Sequence, residues 1–145
     1  MWSTEYSAET NETPVAVWAA LRALHTGNKL SERSDTFEIH GPFDLGTELS
    51  VTPHGQGTFR SKIVEFQDGE LYADETEVEG LKLLFRHTLN PLPGGGTRIV
   101  HTLVIDGEAA DEVGPQLGQE ISADFPEAME DLIAAAASYG DTGSR

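Results

Sequence analysis

GLKLLFRHTLNPLPGGGTRIVHTLVIDG, residues Gly80 to Gly107, reads as two long strands joined by a loop rich in proline and glycine. Lys82–Asn90 and Thr97–Ile105 are dense in Leu, Val, Ile, Thr and Phe, and the run from Asn90 to Gly96 between them is turn chemistry. A hairpin symmetric about that loop sets Leu89 opposite Ile99, His87 opposite His101 and Phe85 opposite Leu103. Side chains alternate along a strand, so these six share one face. Arg86, Thr88, Arg98, Val100 and Thr102 fall on the other, more polar face. Two histidines therefore stand side by side on the apolar face, which points to a pocket there without naming a ligand.

Outward from this hairpin, the period-two pattern continues upstream. Phe37 and Ile39 mark one strand ending at Gly41-Pro42, and Thr47, Leu49 and Val51 a second. Thr58–Gln67 is a third and Leu71–Glu79 a fourth, with Asp68-Gly69 as a two-residue hairpin turn between them. Glu75, Glu77 and Glu79 alternate against Tyr72, Asp74, Thr76 and Val78 and are assigned to the solvent face. Trp2–Thr10 alternates too, as a half-buried seventh strand with Trp2, Thr4, Tyr6 and Ala8 together. After it, Thr13 is a helix N-cap and Pro14 the first helical residue, where the missing N–H costs little. That helix runs to about His25 with Val17, Leu21 and Leu24 inward and Gly27 as its stop. Leu30–Ser34 allows one further helical turn.

At the other end, Leu117, Ile121, Phe125, Ala128, Met129, Leu132 and Ile133 make one apolar stripe at helical spacing. Gly114-Pro115 marks where this helix begins or bends, and Pro126 implies a kink near Ser122–Phe125. The helix is expected to end by Gly140, leaving Asp141–Arg145 as a flexible tail after a single domain over residues 1–140.

The chain has 145 residues, enough for one domain that buries roughly 70% of its unfolded surface. It carries 25 Asp and Glu against 9 Lys and Arg. With no clustered basic footprint, nucleic acid and anionic membrane surfaces are poor partners. Cysteine is absent, which excludes disulfides, thiolate nucleophiles and zinc–thiolate sites. No stretch approaches the roughly 20 apolar residues that span a bilayer, and Met1–Thr10 is polar and acidic rather than a signal sequence. A cytoplasmic protein, monomer or homodimer, without integral membrane contact, is the default expectation.

One strand, a helix, six strands and a long helix form an α+β order. The apolar face of such a sheet must be covered, and a long helix lying across a curved sheet leaves space between them. Thr13-Pro-Val-Ala-Val-Trp18, Gly41-Pro-Phe-Asp-Leu-Gly-Thr47, Gly96-Thr-Arg98 and Gly107 before the last helix, in that order, resemble the START/Bet v 1-like (SRPBCC) superfamily. The similarity is greatest to its bacterial polyketide cyclase/dehydrase branch. The resemblance implies a helix-grip fold: a curved, antiparallel, seven-stranded sheet around the C-terminal helix, with one or two short helices after the first strand. It also implies a hydrophobic guest in the central cavity, such as a lipid, sterol, polyketide or plant hormone; some members are aromatases, cyclases or dehydratases. This chain lacks a tryptophan pair in Leu24–Arg33 and the Trp-rich segments of the co-chaperone branch.

A two-residue turn at Gly80-Leu81 would set His87 opposite Asp74, and the turn at Asp68-Gly69 would set Asp74 opposite Ile63 and Tyr72 opposite Glu65. A one-residue shift at Gly80 would take Asp74 out of the set. His87, His101 and Asp74 are then the candidate catalytic group, a carboxylate fixing the tautomer of an imidazole that moves a proton on a bound carbonyl or hydroxyl compound. Candidate ligand contacts are Tyr72, Glu65, Phe59, Ile63, Phe85, Leu89, Ile99, Leu103, Phe125 and Met129. The same polar groups can equally satisfy one another in a partly wet cavity. His87, His101 and Asp74 have the ligand types for zinc or iron, but no metal and no cofactor is expected. His25, His40 and His54 are assigned to the surface, and Trp18 to packing between helix and sheet. Three readings follow: a binder of a hydrophobic or aromatic small molecule, a cyclase or dehydratase, and a structural or regulatory domain whose cavity is closed.

Overall fold

The computed structural model describes residues 1–143, and of residues 140–143 the backbone alone. Strand β1 (Trp2–Thr10) is followed by helix α1 (Pro14–His25) and then by six strands. These are β2 (Thr36–Ile39), β3 (Glu48–Thr52), β4 (Phe59–Gln67), β5 (Leu71–Val78), β6 (Leu81–Pro91) and β7 (Thr97–Gly107). Helices α2 (Ala110–Ser122) and α3 (Phe125–Gly143) complete the chain. All seven strands form one antiparallel sheet in the order β1-β7-β6-β5-β4-β3-β2. Each β2–β7 neighbour pair is a simple hairpin, and β1 returns to close on the last strand.

Helix α1 starts as its residues dictate. The Thr13 hydroxyl accepts the Ala16 N–H at 3.1 Å and Pro14 takes the first helical position. It stops where Gly27 adopts φ +111°, a left-handed conformation that glycine takes without strain. Leu30–Ser34 forms turns rather than a helix, so one helix follows β1.

The β6–β7 hairpin has the symmetric register: Leu89 faces Ile99, His87 faces His101 and Phe85 faces Leu103. Ile99 and Leu103 are fully buried, which confirms this as the inner face. The turn before β6 sits one residue earlier than expected, at Glu79-Gly80, so Val78 pairs with Leu81. His87 is consequently opposite Tyr72, and Asp74 is opposite Phe85. Moving the turn centre by one residue displaces each pair by two, which preserves the face and corrects the expectation that a one-residue shift at Gly80 takes Asp74 out of the set. Asp74 therefore stays inside. Between β4 and β5, Ile63 does face Asp74, but a bulge follows it and Glu65 faces Ala73. The bulge turns Glu65 outward and Phe66 inward.

The expected helical kink is a full break. Helix α2 ends at Ser122 and α3 begins at Phe125, with Pro126 in its first turn, where a proline is tolerated. Helix α2 begins at Ala110 and contains Pro115, and α3 continues to Gly143, beyond the expected end at Gly140. Ser144 and Arg145, the rest of the expected tail, lie outside the described residues. Helix α3 packs chiefly on α1, and α2 on β1 and β7. Trp2 seats α2 closely: a Cβ at Gly114 would lie 2.6 Å from the Trp2 Cβ, and one at Gly118 would overlap the indole ring.

The interior divides in two. Under α1 and α3, Val17, Trp18 and Leu21 pack with Leu49, Ile63, Tyr72, Leu89, Ile99 and Met129. Under α2, Leu83, Leu103, Ile105 and Ala110 pack with Trp2, Phe85, Leu117, Ile121 and Phe125. The helix break leaves the sheet between these clusters thinly covered. No helix among the described residues is long and apolar enough to cross a membrane.

Candidate functional site

Between the two clusters lies a cavity of about 460 Å³. Phe59, Leu83 and Phe85 line it from the sheet, and Leu117, Ile121 and Phe125 from the helices around the break. Of the titratable side chains in this lining, α1 and the strands supply four: His25 from the end of α1, Asp74 from β5, His87 from β6 and His101 from β7.

The imidazoles form a contact chain. His87 and His101 meet edge to face with ring centroids 4.3 Å apart, and His25 lies 5.4 Å from His87. His25 also packs on Tyr72 at 4.2 Å and Phe37 at 4.5 Å. Its Nδ1 lies 2.8 Å from the Leu21 carbonyl oxygen, so the neutral ring donates there and keeps Nε2 as an acceptor. Nδ1 of His87 and Nε2 of His101 are buried with no hydrogen-bond partner among the described residues. His87 lines the cavity and is partly buried.

Burial holds all three rings neutral. It lowers His25 to about 4 against the opposing hydrogen bond to Leu21, and His101 to about 4 with a further push from His25. His87 lies well below the ordinary imidazole value, because it is enclosed and because the other two rings stand beside it. Asp74 moves the opposite way. Burial raises its carboxyl to about 7, opposed by the hydrogen bond from the Tyr72 hydroxyl at 2.7 Å and reinforced by Asp35. Burial and Asp74 together raise the Tyr72 phenol, which remains protonated. At neutral pH the cavity thus holds neutral imidazoles and a carboxyl close to half-protonation. Ser61 and Thr76, whose hydroxyls are hydrogen-bonded to each other, add polar groups to the same wall.

No protein-family model matches the sequence, and no curated protein matches it. Solved structures do match in shape. Ara h 8.0201 aligns with a TM-score of 0.74 at 17% identity, over 94% of this chain and 98% of its own. MLL2253 from Mesorhizobium loti aligns with a TM-score of 0.70 at 14% identity, over 94% and 98%. Norcoclaurine synthase from Thalictrum flavum, in complex with dopamine and hydroxybenzaldehyde, aligns with a TM-score of 0.71 at 11% identity, over 94% and 87%. The chain has the Bet v 1-like fold. At these identities the match concerns architecture alone, so what the cavity does must be argued from its own residues.

This Bet v 1-like cavity contains part of the residue set expected from the sequence. Asp74, His87, His101, Phe59, Phe85 and Phe125 all line it. Tyr72 is fully buried and reaches it through Asp74. Ile63, Leu89, Ile99, Leu103 and Met129 are buried in the packed clusters that support its walls. Glu65 is a correction: on the outer face it accepts two hydrogen bonds from Arg86, at 2.6 and 2.8 Å. The expected carboxylate–imidazole pair is a second correction. Among the described residues Asp74 is hydrogen-bonded to Tyr72, and no imidazole bonds to it.

The third correction is His25, which is 2% exposed and part of the site rather than of the surface. Its signal was present: it follows Val17 and Leu21 at spacings of eight and four, on the buried stripe of α1. Trp18 packs as expected, against Phe43 and Phe66. No group of three or more His, Asp or Glu side chains among the described residues is arranged to hold a metal ion.

Proposed function

We propose that this protein binds a hydrophobic or aromatic small molecule between the sheet and the break separating α2 from α3. The observation that carries the reading is the cavity of about 460 Å³, with aromatic walls and a few convergent polar groups. Such a volume and lining are typical of small-molecule sites. A domain whose interior is closed would lack this space, so the third reading from the sequence loses its support. N-Phenyl-1-naphthylamine, a neutral apolar fluorophore, tests the proposal. Saturable one-site binding is expected with the native chain, and loss of at least about tenfold in affinity with Ile121→Trp, which fills the cavity from α2. Undiminished binding by that variant would place the probe elsewhere and refute the assignment.

A catalytic reading is favoured by one feature. A carboxyl near neutrality beside unpartnered neutral imidazoles combines an acid and bases in one apolar space. Within that reading, His87 or His101 accepts a proton from a bound carbonyl compound and Asp74 supplies one, the capacity that aldol cyclisation and dehydration require. Turnover of a poly-β-keto thioester that survives His87→Ala/His101→Ala unchanged would remove it.

A further inference from the structure

Resting on that reading of the cavity, we propose that its guest is cationic: an apolar or aromatic body carrying an ammonium group, held toward Asp74 and the carboxylates at the mouth. Among the described residues, seven carboxylates line the cavity and its mouth, against a single arginine, Arg33. Arg33 is already engaged. It bonds both oxygens of Asp131 at 3.0 Å and stands 3.7 Å from Glu127 and 3.6 Å from Glu130. Asp35, Asp74, Glu79, Glu120 and Asp124 have no ion pair with lysine or arginine among the described residues. Among the described residues Asp35 accepts the His54 backbone N–H alone, at 3.3 Å, with the His54 side chain nearby. Asp35 also acts electrostatically on both Asp74 and Asp124, so it links the mouth carboxylate Asp124 to the inner one, Asp74.

A crowd of carboxylates on a surface is ordinarily a solvated face. Here the acidity continues inward. Asp74 is 4% exposed and lines the cavity wall, and His101, 6% exposed, lines the same wall with its Nε2 buried and without a hydrogen-bond partner among the described residues. A neutral imidazole does not repel a cation and can accept a hydrogen bond from one. An ammonium supplies three donors, which matches a carboxylate with lone pairs left over beside such acceptors. A carboxylate-bearing guest would meet like charge at the mouth and again at Asp74. A wholly apolar guest would bury Asp74 further without giving it a cationic partner.

Isothermal titration calorimetry with three probes on one aromatic frame tests the charge separately from the cavity. These are 2-(1-naphthyl)ethylamine, 2-(1-naphthyl)ethanol and 1-naphthaleneacetic acid, titrated into the full chain at pH 7 and low salt. The amine is expected to bind at least about tenfold tighter than the alcohol, and the acid weakest. Asp74→Asn should bring the amine-to-alcohol affinity ratio close to one. Should that variant fail to fold, Asp35→Asn/Asp124→Asn at the mouth should lower the same ratio by about threefold or more. Equal affinity for amine and alcohol overturns the cationic guest and leaves the apolar cavity standing. Failure of all three probes and of N-phenyl-1-naphthylamine to bind overturns both.

Discussion

Lowering the pH should destabilise this protein through its buried imidazoles, and Asp74 should resist that loss. His25 and His101 are held at about 4 in the folded chain, against about 6.5 when unfolded. Above pH 6.5 both states are neutral and nothing is lost. As the pH falls through 6.5 the unfolded chain takes up protons first, so stability declines until the folded rings titrate near 4. By pH 4 each ring has cost about 3 kcal/mol, and His87 adds a loss of the same sign. Asp74 works in reverse: raised to about 7, it binds its proton before the unfolded carboxyl does. Between pH 7 and 4 it contributes a gain of about 3 kcal/mol. His25, His101 and Asp74 together leave a net loss of about 3 kcal/mol, which His87 deepens. Asp74→Asn removes the gain, so the same three positions then lose about 6 kcal/mol over that interval. Urea denaturation at half-unit steps of pH, followed by tryptophan fluorescence, measures both curves. Because the two proteins share every other carboxylate, their difference isolates position 74. Parallel stability curves for wild type and Asp74→Asn would refute the assignment of a raised carboxyl inside the cavity.

Two further substitutions test the packing and the register. Gly118→Ala puts a methyl group into the Trp2 ring. Overpacking should outweigh the gain in helix propensity and cost about 1–3 kcal/mol in chemical denaturation, while Gln119→Ala, exposed on the same helix, stays within about 0.5 kcal/mol of wild type. Glu65→Gln removes a two-point ion pair with Arg86 whose partners are 33% and 32% exposed, so screening limits the cost to about 1 kcal/mol. Affinity for N-phenyl-1-naphthylamine should not change in Glu65→Gln. A loss of binding there would return Glu65 to the inner face and contradict the bulge in β4.

That bulge shows where local pattern ceased to determine the structure. The β6–β7 register followed from the symmetry of one loop, because the strands on each side of it are regular. The β4–β5 connection is regular at neither end. Its turn occupies Asp68–Glu70, three residues rather than two, with Gly69 at φ +82°, so Phe66 rather than Glu65 faces Tyr72. The bulge after Ile63 then restores the pairing of Ile63 with Asp74. The two irregularities cancel, which is why the inner position of Asp74 was legible and that of Glu65 was not. At the next turn both central residues take positive φ, Glu79 at 50° and Gly80 at 82°. Placing the turn at Gly80-Leu81 would have forced the branched Leu81 into that conformation, a conflict readable from the residue types alone. The depth at which His25 sits was harder to see. A residue ending a helix is usually wet, and here β5 and β6 supply Tyr72 and His87 to cover it.

The same arrangement makes the sign of proton exchange on binding diagnostic. Histidine beside aspartate ordinarily gives a protonated imidazole and an ionised carboxylate. In this cavity the order is inverted, with Asp74 near 7 and two rings near 4, because burial penalises both charged forms and no hydrogen bond joins the groups. A guest that brings an ammonium to Asp74 stabilises the carboxylate and lowers its pKa. At pH 7 binding should then release up to about half a proton, and at pH 6 nearly a whole one, since Asp74 starts more fully protonated. A neutral apolar guest removes the remaining solvent from the carboxyl, raises its pKa further and causes uptake. Calorimetric titration of 2-(1-naphthyl)ethylamine in phosphate and in ACES, which both buffer from pH 6 to 7 and differ in ionisation enthalpy, gives the number of protons exchanged with its sign. Release that grows from pH 7 to pH 6 and vanishes in Asp74→Asn is the expected result. Uptake by the native chain, or release that persists without the carboxyl, would mean that the ammonium does not reach Asp74.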